Sequence, residues 1–278
     1  MTGEPAAIYL DHAATTSMRD EVCEAMRPYE SERFGNPSSS HRWGRQARGA
    51  LEEARDRLAG AIGARRTEIV FTGGGTEADN LAILGAWRRH GAPGRWIASS
   101  AIEHSAVRGA VERAAGEGAG TQMLGVDDHG VVDAGALDEV LRLPTVLVAV
   151  MWVNNEVGTI QPVERLAAAC RGQGVLFHTD AVQAFGRTPI RVDRVACDTL
   201  ALSAHKIGGP KGIGCIFVRS GEEVQIDDNT IIDNGVIAEA GTLIRPGRSG
   251  GIVIAMVTSN LTRGNVGELS DRGPQNRA

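Results

Sequence analysis

The run Thr145-Val146-Leu147-Val148-Ala149-Val150 is apolar on both of the faces that a strand would present. Only a strand covered by helices on both sides tolerates that pattern. Similar apolar, β-branched runs occur at 68–72, 96–99, 175–179, 199–202 and 215–218, and the run at 145 reads as a strand over 146–153. Helical patterns lie between them at 77–90, 105–115, 133–141 and 163–171, and two more, near 19–29 and 46–58, precede the first strand. Strands alternating with helices in this way predict an α/β fold, doubly wound, with a mostly parallel or mixed sheet. Ligands of such sheets bind beyond the carboxyl ends of the strands. Residues at those ends therefore carry the functional reading.

A chain of 278 residues can bury one large domain, or one large and one small. No apolar run approaches the roughly 20 residues of a membrane span, and the Met-Thr-Gly-Glu-Pro start lacks the features of a signal peptide. A net charge of −5, without a basic run interleaved with aromatics, argues against a nucleic-acid partner. Cys23, Cys170, Cys197 and Cys215 lie far apart and form no CxxC pair, so neither a zinc site nor a disulfide framework is signalled. No metal site is expected, and the chain reads as cytoplasmic.

Strand by strand, polar groups arrive abruptly at the carboxyl ends. After 68–72 comes Gly73-Gly74-Gly75-Thr76-Glu77-Ala78-Asp79-Asn80, and then a helix. Its glycines, the helix start and the Thr76 hydroxyl suit an anion. Alternatively the glycines make a tight turn, with Thr76 and Asp79 capping the helix. It is neither a Walker loop nor GxGxxG. His104, after 96–99, is placed to stack on a planar ligand or to cap the following helix. Asn154-Asn155 ends the next strand, as a ligand contact or a turn. His178 and Asp180 then share one side of a strand. They read as part of an H-x-D metal pair, or Asp180 as a buried carboxylate that needs a cationic partner.

The last of these ends is Leu202-Ser203-Ala204-His205-Lys206, followed by a glycine-rich turn through Lys211. Among 29 lysines and arginines, Lys206 and Lys211 are the two lysines. Arginine stays protonated, whereas a buried lysine can lose its proton and attack a carbonyl. Either both are ordinary loop charges, or Lys206 is a nucleophile. Together the five loops supply a phosphate cradle, a stacking ring, amides, a carboxylate and an amine. That set suits pyridoxal 5'-phosphate, whose ring is an electron sink when a carboxylate keeps its nitrogen protonated.

Tyr9-Leu10-Asp11-His12-Ala13-Ala14-Thr15-Thr16, Phe34-Gly35-Asn36-Pro37-Ser38-Ser39, the stretch 71–80, Glu103-His104, Val153-Asn154-Asn155-Glu156-Val157-Gly158, Phe177-His178-Thr179-Asp180-Ala181-Val182-Gln183 and the stretch 203–214 carry a family resemblance. The chain resembles the class V aminotransferase-like group of fold-type I pyridoxal-phosphate enzymes, and within it the cysteine desulfurases of the NifS/IscS type, over about residues 8–219. The resemblance implies that Lys206 bonds to the cofactor's aldehyde carbon, Asp180 partners its ring nitrogen and His104 stacks on the ring. Asn155 and Gln183 would contact the ring hydroxyl side. Thr76, Ser203 and His205 would bind phosphate, with Gly75 lining the cradle. It further implies a homodimer that converts L-cysteine to alanine, passing sulfur to an enzyme thiol or an acceptor protein for iron–sulfur cluster or other sulfur biosynthesis.

The expected division is an N-terminal segment 1–16, a cofactor-binding large domain 17–219 and a divergent tail 220–278, the family's small C-terminal domain being largely missing. The N-terminal segment is expected to pack with that small domain. The tail contains no cysteine to carry a persulfide, only a faint Gly241-Thr242 echo of a family motif, and Arg245, Arg248 and Arg263 as carboxylate contacts by residue type alone. Residues 225–243 are poor in helix signals and 263–278 are polar enough for disorder. Two functions stay open: a desulfurase, or a catalytically silent protein or fragment that binds the cofactor in an interaction or regulatory role.

Overall fold

The computed structural model describes residues 8–221 together with the short segments β8 (Val224–Ile226), β9 (Thr230–Ile231), β10 (Val236–Ile237) and β11 (Thr242–Ile244). The doubly apolar runs become strands of a seven-stranded sheet. In chain order these are β1 (Ile69–Thr72), β2 (Trp96–Ser100), β3 (Gly120–Leu124), β4 (Thr145–Ala149), β5 (Leu176–Asp180), β6 (Thr199–Ser203) and β7 (Gly214–Val218). They lie side by side as β1-β7-β6-β5-β4-β2-β3. The pairs from β6 across to β3 are parallel, and β7 alone is reversed, antiparallel to β6 and β1.

Both faces of the sheet are covered. The helices are α1 (Asp20–Ser31), α2 (Arg42–Ile62), α3 (Gly75–His90), α4 (Ser105–Gly116), α5 (Ala134–Leu141) and α6 (Val163–Gly172). Successive strand residues alternate between two cores. Phe217, Leu200, Leu202 and Val148 meet Ile62, Leu137 and Leu166 of α2, α5 and α6. On the other face Ile216 and Ala201 meet Ala78 and Leu81 of α3, while Leu147 meets Val107 and Ala110 of α4. The α3 helix is buried on nearly every side, from Ala78 to Trp87. Such a helix is fixed by packing rather than by an amphipathic stripe.

Two elements differ from the sequence reading. Strand β3 was not expected. It lies at the sheet edge with Thr121, Gln122 and Met123 exposed, so it lacks the two-sided apolar run that marks its neighbours. The strand expected over 146–153 ends at Ala149, because the Glu103 carboxylate accepts the Met151 N–H at 2.8 Å where a neighbouring strand would have done so. Extended backbone continues regardless: Val150 and Trp152 N–H groups donate to the carbonyls of His178 and Asp180. In the tail, β8 pairs with β11 and β9 with β10, both antiparallel. Gly241, Arg245, Arg248, Arg263 and the stretch 263–278 lie outside the described residues.

Candidate functional site

Five strand ends open into one cavity of about 260 Å³. Every residue that the resemblance assigns to the cofactor lines it: Gly75, Thr76, His104, Asn155, Asp180, Gln183, Ser203, His205 and Lys206. Ala14, Asp79, Met151 and Val182 complete the wall, and the sequence reading had not placed them there.

At the end of β1 the loop is pinned by its own side chains. The Thr72 hydroxyl donates to the Gly74 carbonyl at 2.8 Å, and Glu77 Oε2 accepts the Gly73 N–H at 2.6 Å. A Cβ on Gly214 would lie 2.6 Å from Gly74 backbone, so β7 can cross this close only as glycine. A Cβ on Gly75 would meet Val182 Cγ2 at 2.7 Å. Helix α3 then begins at Gly75, and its first-turn N–H groups have no intrahelical acceptor, which favours an anion. The alternative, capping by Thr76 and Asp79, is not formed. Gly74 is the N-cap without a side-chain bond, and Asp79 turns inward instead.

His104 caps a helix and lines the cavity. Its Nδ1 accepts the Ala106 N–H at 3.2 Å, capping α4, while the ring lines the cavity. The two asparagines divide theirs. Asn154 Oδ1 accepts from Glu156 and Val157 N–H groups and makes the turn, which leaves Asn155 to the cavity.

Asp180 ends β5, 5% exposed, with Oδ1 accepting the Val182 N–H at 2.9 Å. Burial pushes its carboxyl upward, offset by that bond and by the nearby His104 ring and Lys206 amine. His178 does not join Asp180 in a metal pair. Its fully buried ring bonds Thr199 Oγ1 through Nδ1 at 2.9 Å and Asp79 Oδ1 through Nε2 at 3.1 Å. Burial drives its pKa down to about 3, so the ring is neutral. Among the described residues no cluster of His, Cys, Asp and Glu is arranged to hold a metal ion.

Lys206 follows β6 on a single 3-10 turn, Ala204–Lys206. Its half-buried amine donates to the carbonyls of Ala13 at 2.6 Å and Ala14 at 2.8 Å. Burial lowers its pKa, and Arg187 adds to that, against the opposing charges of Asp180 and Asp11. The N-terminal segment is strapped over this corner. Thr16 N–H donates to the His205 carbonyl at 2.8 Å, Thr15 Oγ1 pairs with His205 Nδ1 at 3.1 Å, and Gln183 Nε2 donates to Ala13 O at 2.8 Å. The segment was expected to pack with a small domain. In the described residues it is bonded to the lysine loop and to Gln183.

Cys170, Cys197 and Cys215 are buried, and burial pushes each thiol up to about 12. Cys23 on α1 is partly exposed.

Residues 8–236 match the family described as aminotransferase class-V. The chain belongs to the aminotransferase class-V family. This is a family of pyridoxal-phosphate-dependent enzymes, and its relatives here include cysteine desulfurases. The chain is 46% identical over 217 residues to the cysteine desulfurase IscS of Dictyoglomus turgidum, covering 78% of this chain and 55% of that relative. It is 49% identical over 210 residues to the putative cysteine desulfurase IscS 1 of Bacillus subtilis, covering 76% and 55%. The solved structure of SspA in complex with cysteine superposes with a TM-score of 0.76 at 36% identity, covering 90% of this chain and 70% of that one. The chain thus spans about half the length of the curated relatives it matches.

The cavity fits the family's cofactor on its own terms. It offers a glycine cradle at a helix start for phosphate, a buried carboxyl for a ring nitrogen and an amine of lowered pKa for an aldehyde.

Proposed function

We propose that this chain holds pyridoxal 5'-phosphate in the cavity at its strand ends and acts as a cysteine desulfurase on L-cysteine. One observation carries the reading: Lys206, Asp180 and the Gly75-Thr76 cradle come from three separate strand ends into a single cavity. Bound there, the cofactor supplies a protonated ring that withdraws electrons from the substrate carbon. Asp180 keeps the ring nitrogen protonated. Thr76, Ser203 and His205 take the phosphate with the first turn of α3, and Gly75 lets it approach. His104 lies against the ring, with Asn155 and Gln183 at its hydroxyl side. Lys206, with its proton loosened by burial, holds the aldehyde carbon and afterwards moves a proton at the substrate carbon.

The same reading takes residues 1–16 as an N-terminal segment, 17–219 as the cofactor-binding domain and 220–278 as a divergent tail. It places the protein in the cytoplasm, as a homodimer that hands sulfur to an acceptor thiol. Tyr9, Leu10, Phe34 and Trp43 are exposed apolar side chains, which supports a partner surface. Among the described residues no helix is long and apolar enough to cross a membrane.

A second reading, a cofactor-binding protein without turnover, is favoured by one observation: three of the four cysteines are buried with raised pKa. The experiment is reconstitution with pyridoxal phosphate followed by L-cysteine. A yellow protein that releases alanine supports the first reading, and a yellow protein that releases none supports the second. A protein that takes up no cofactor overturns both.

A further inference from the structure

Behind the cavity lies a buried polar cluster to which the proposed function gives no task. Asp79 is 1% exposed and lines the cavity wall beside Asp180. It sits one helical turn after Thr76 on α3, on the same face. Its Oδ1 bonds His178 Nε2 at 3.1 Å, and His178 Nδ1 bonds Thr199 Oγ1 at 2.9 Å. A side chain from α3 is thereby tied through β5 to β6.

The surroundings of the two aspartates differ in sign. Asp180 faces the Lys206 amine and the His104 ring, which favour its charge. Asp79 faces Asp180 from β5 and Glu103 from the loop before α4, both of which oppose its charge, and a neutral His178. Glu103 is itself pushed up to about 8, chiefly by burial, with Ser100 and the Met151 N–H holding it down and Asp180 raising it. Two neighbouring carboxyls in a dry wall do not both ionise without a cation apiece.

We propose that Asp79 is a positioning residue that holds a proton: carried by His178 in the cavity wall, it stays neutral so that Asp180 is the anion facing the cofactor's ring nitrogen. The inference rests on the cofactor reading only for what Asp180 faces. The proton's place fixes the whole relay. With Asp79 protonated, its O–H donates to His178 Nε2, and His178 Nδ1–H donates to Thr199 Oγ1. With Asp79 ionised, Nε2–H donates to Asp79 and the Thr199 hydroxyl donates to Nδ1. The imidazole keeps one proton in both states, on opposite nitrogens.

Nitrogen chemical shifts of His178 in the cofactor-free parent chain read that choice directly. The Nδ1–H tautomer is expected near pH 6, and an Nε2–H tautomer there, or a doubly protonated ring paired with an ionised Asp79, overturns the proposal. Thermal unfolding gives a second reading. An unfolded chain loses the Asp79 proton near its ordinary pKa of about 4, whereas the fold keeps it, so the parent loses stability as pH rises above that value. Asp79→Asn cannot lose it. Its melting temperature relative to the parent should therefore rise by about 3 °C or more between pH 5 and pH 8. Asp79→Ala, which leaves His178 Nε2 without a partner, should melt lower than Asp79→Asn at both pH values. An Asp79→Asn offset that is equal at the two pH values shows a merely structural aspartate and overturns the proposal. Neither readout needs the cofactor. Failure of the parent to take up pyridoxal phosphate sinks the cofactor reading alone, and an Nε2–H tautomer with normal uptake sinks this inference alone.

Discussion

The Lys206 amine donates to the Ala13 carbonyl at 2.6 Å, a bond between residues 193 apart in the chain. With the second bond to Ala14 O, it ties the N-terminal strap to the floor of the cavity. The amine that would hold the cofactor is therefore also one of the anchors of the strap.

Lys206→Ala removes both functions at once. Incubated with pyridoxal phosphate, the variant should show no cofactor band in the visible, because Lys211 is the chain's remaining lysine and does not line the cavity. Residues 11–16 should also be cut faster by a protease than in the parent. A visible band of parental intensity in Lys206→Ala would remove this residue from its assigned place.

Asp180→Asn tests the ring nitrogen's partner. A charge-assisted bond of this kind contributes roughly 1.5–3 kcal/mol, or about tenfold to a hundredfold in cofactor affinity. Burial raises the carboxyl's pKa, so the parent's affinity should fall as pH is lowered through that raised value and the carboxylate becomes neutral. Asp180→Asn carries no such group and should lack the acid limb. Equilibrium dialysis across pH 5–8 measures both effects, and equal retention by the two proteins would rule the role out.

What the sequence made legible was whatever repeats locally. Strands buried on both faces show as continuous apolar runs, and polar groups at their ends stand out against them. This is why residues as far apart as Thr76 and Lys206 could be assigned to one cavity. Pairings made only by the fold were hidden. Asp79 looked like a helix cap because it follows Thr76 by one turn, and its true partner, His178, lies 99 residues away. Strand β3 was missed for the opposite reason: at an edge its side chains face water, so the apolar signal is absent. Met151 and Val182 enter the wall as ordinary hydrophobic residues, with nothing in their type to mark them.

Gly75 is required by space rather than by backbone conformation. A Cβ there would sit 2.7 Å from Val182 Cγ2, and Val182 itself lines the cavity. Gly75→Ala should push Val182 toward the phosphate position and weaken cofactor retention, by about 1–3 kcal/mol if it follows other overpacked sites. Adding Val182→Ala relieves the contact and should recover most of the loss. If the double variant binds no better than Gly75→Ala, the cradle is not limited by Val182.

Sulfur transfer requires a thiolate that is exposed and able to move. Cys170, Cys197 and Cys215 fail on burial, with thiols pushed up to about 12. Cys23 is partly exposed but sits within helix α1, which fixes its backbone. An oriented nucleophile accounts for many orders of magnitude in rate. The 278-residue chain should therefore take up pyridoxal phosphate and respond spectrally to L-cysteine, yet release alanine far more slowly than a desulfurase with a mobile cysteine. The measurement is alanine formed per mole of bound cofactor, with dithiothreitol present to accept sulfur, for the parent and each Cys→Ala variant. Enzyme-like turnover lost only in Cys23→Ala would show that α1 opens to deliver its thiol. The same loss in one of the other three would mean that a core position becomes accessible during the reaction.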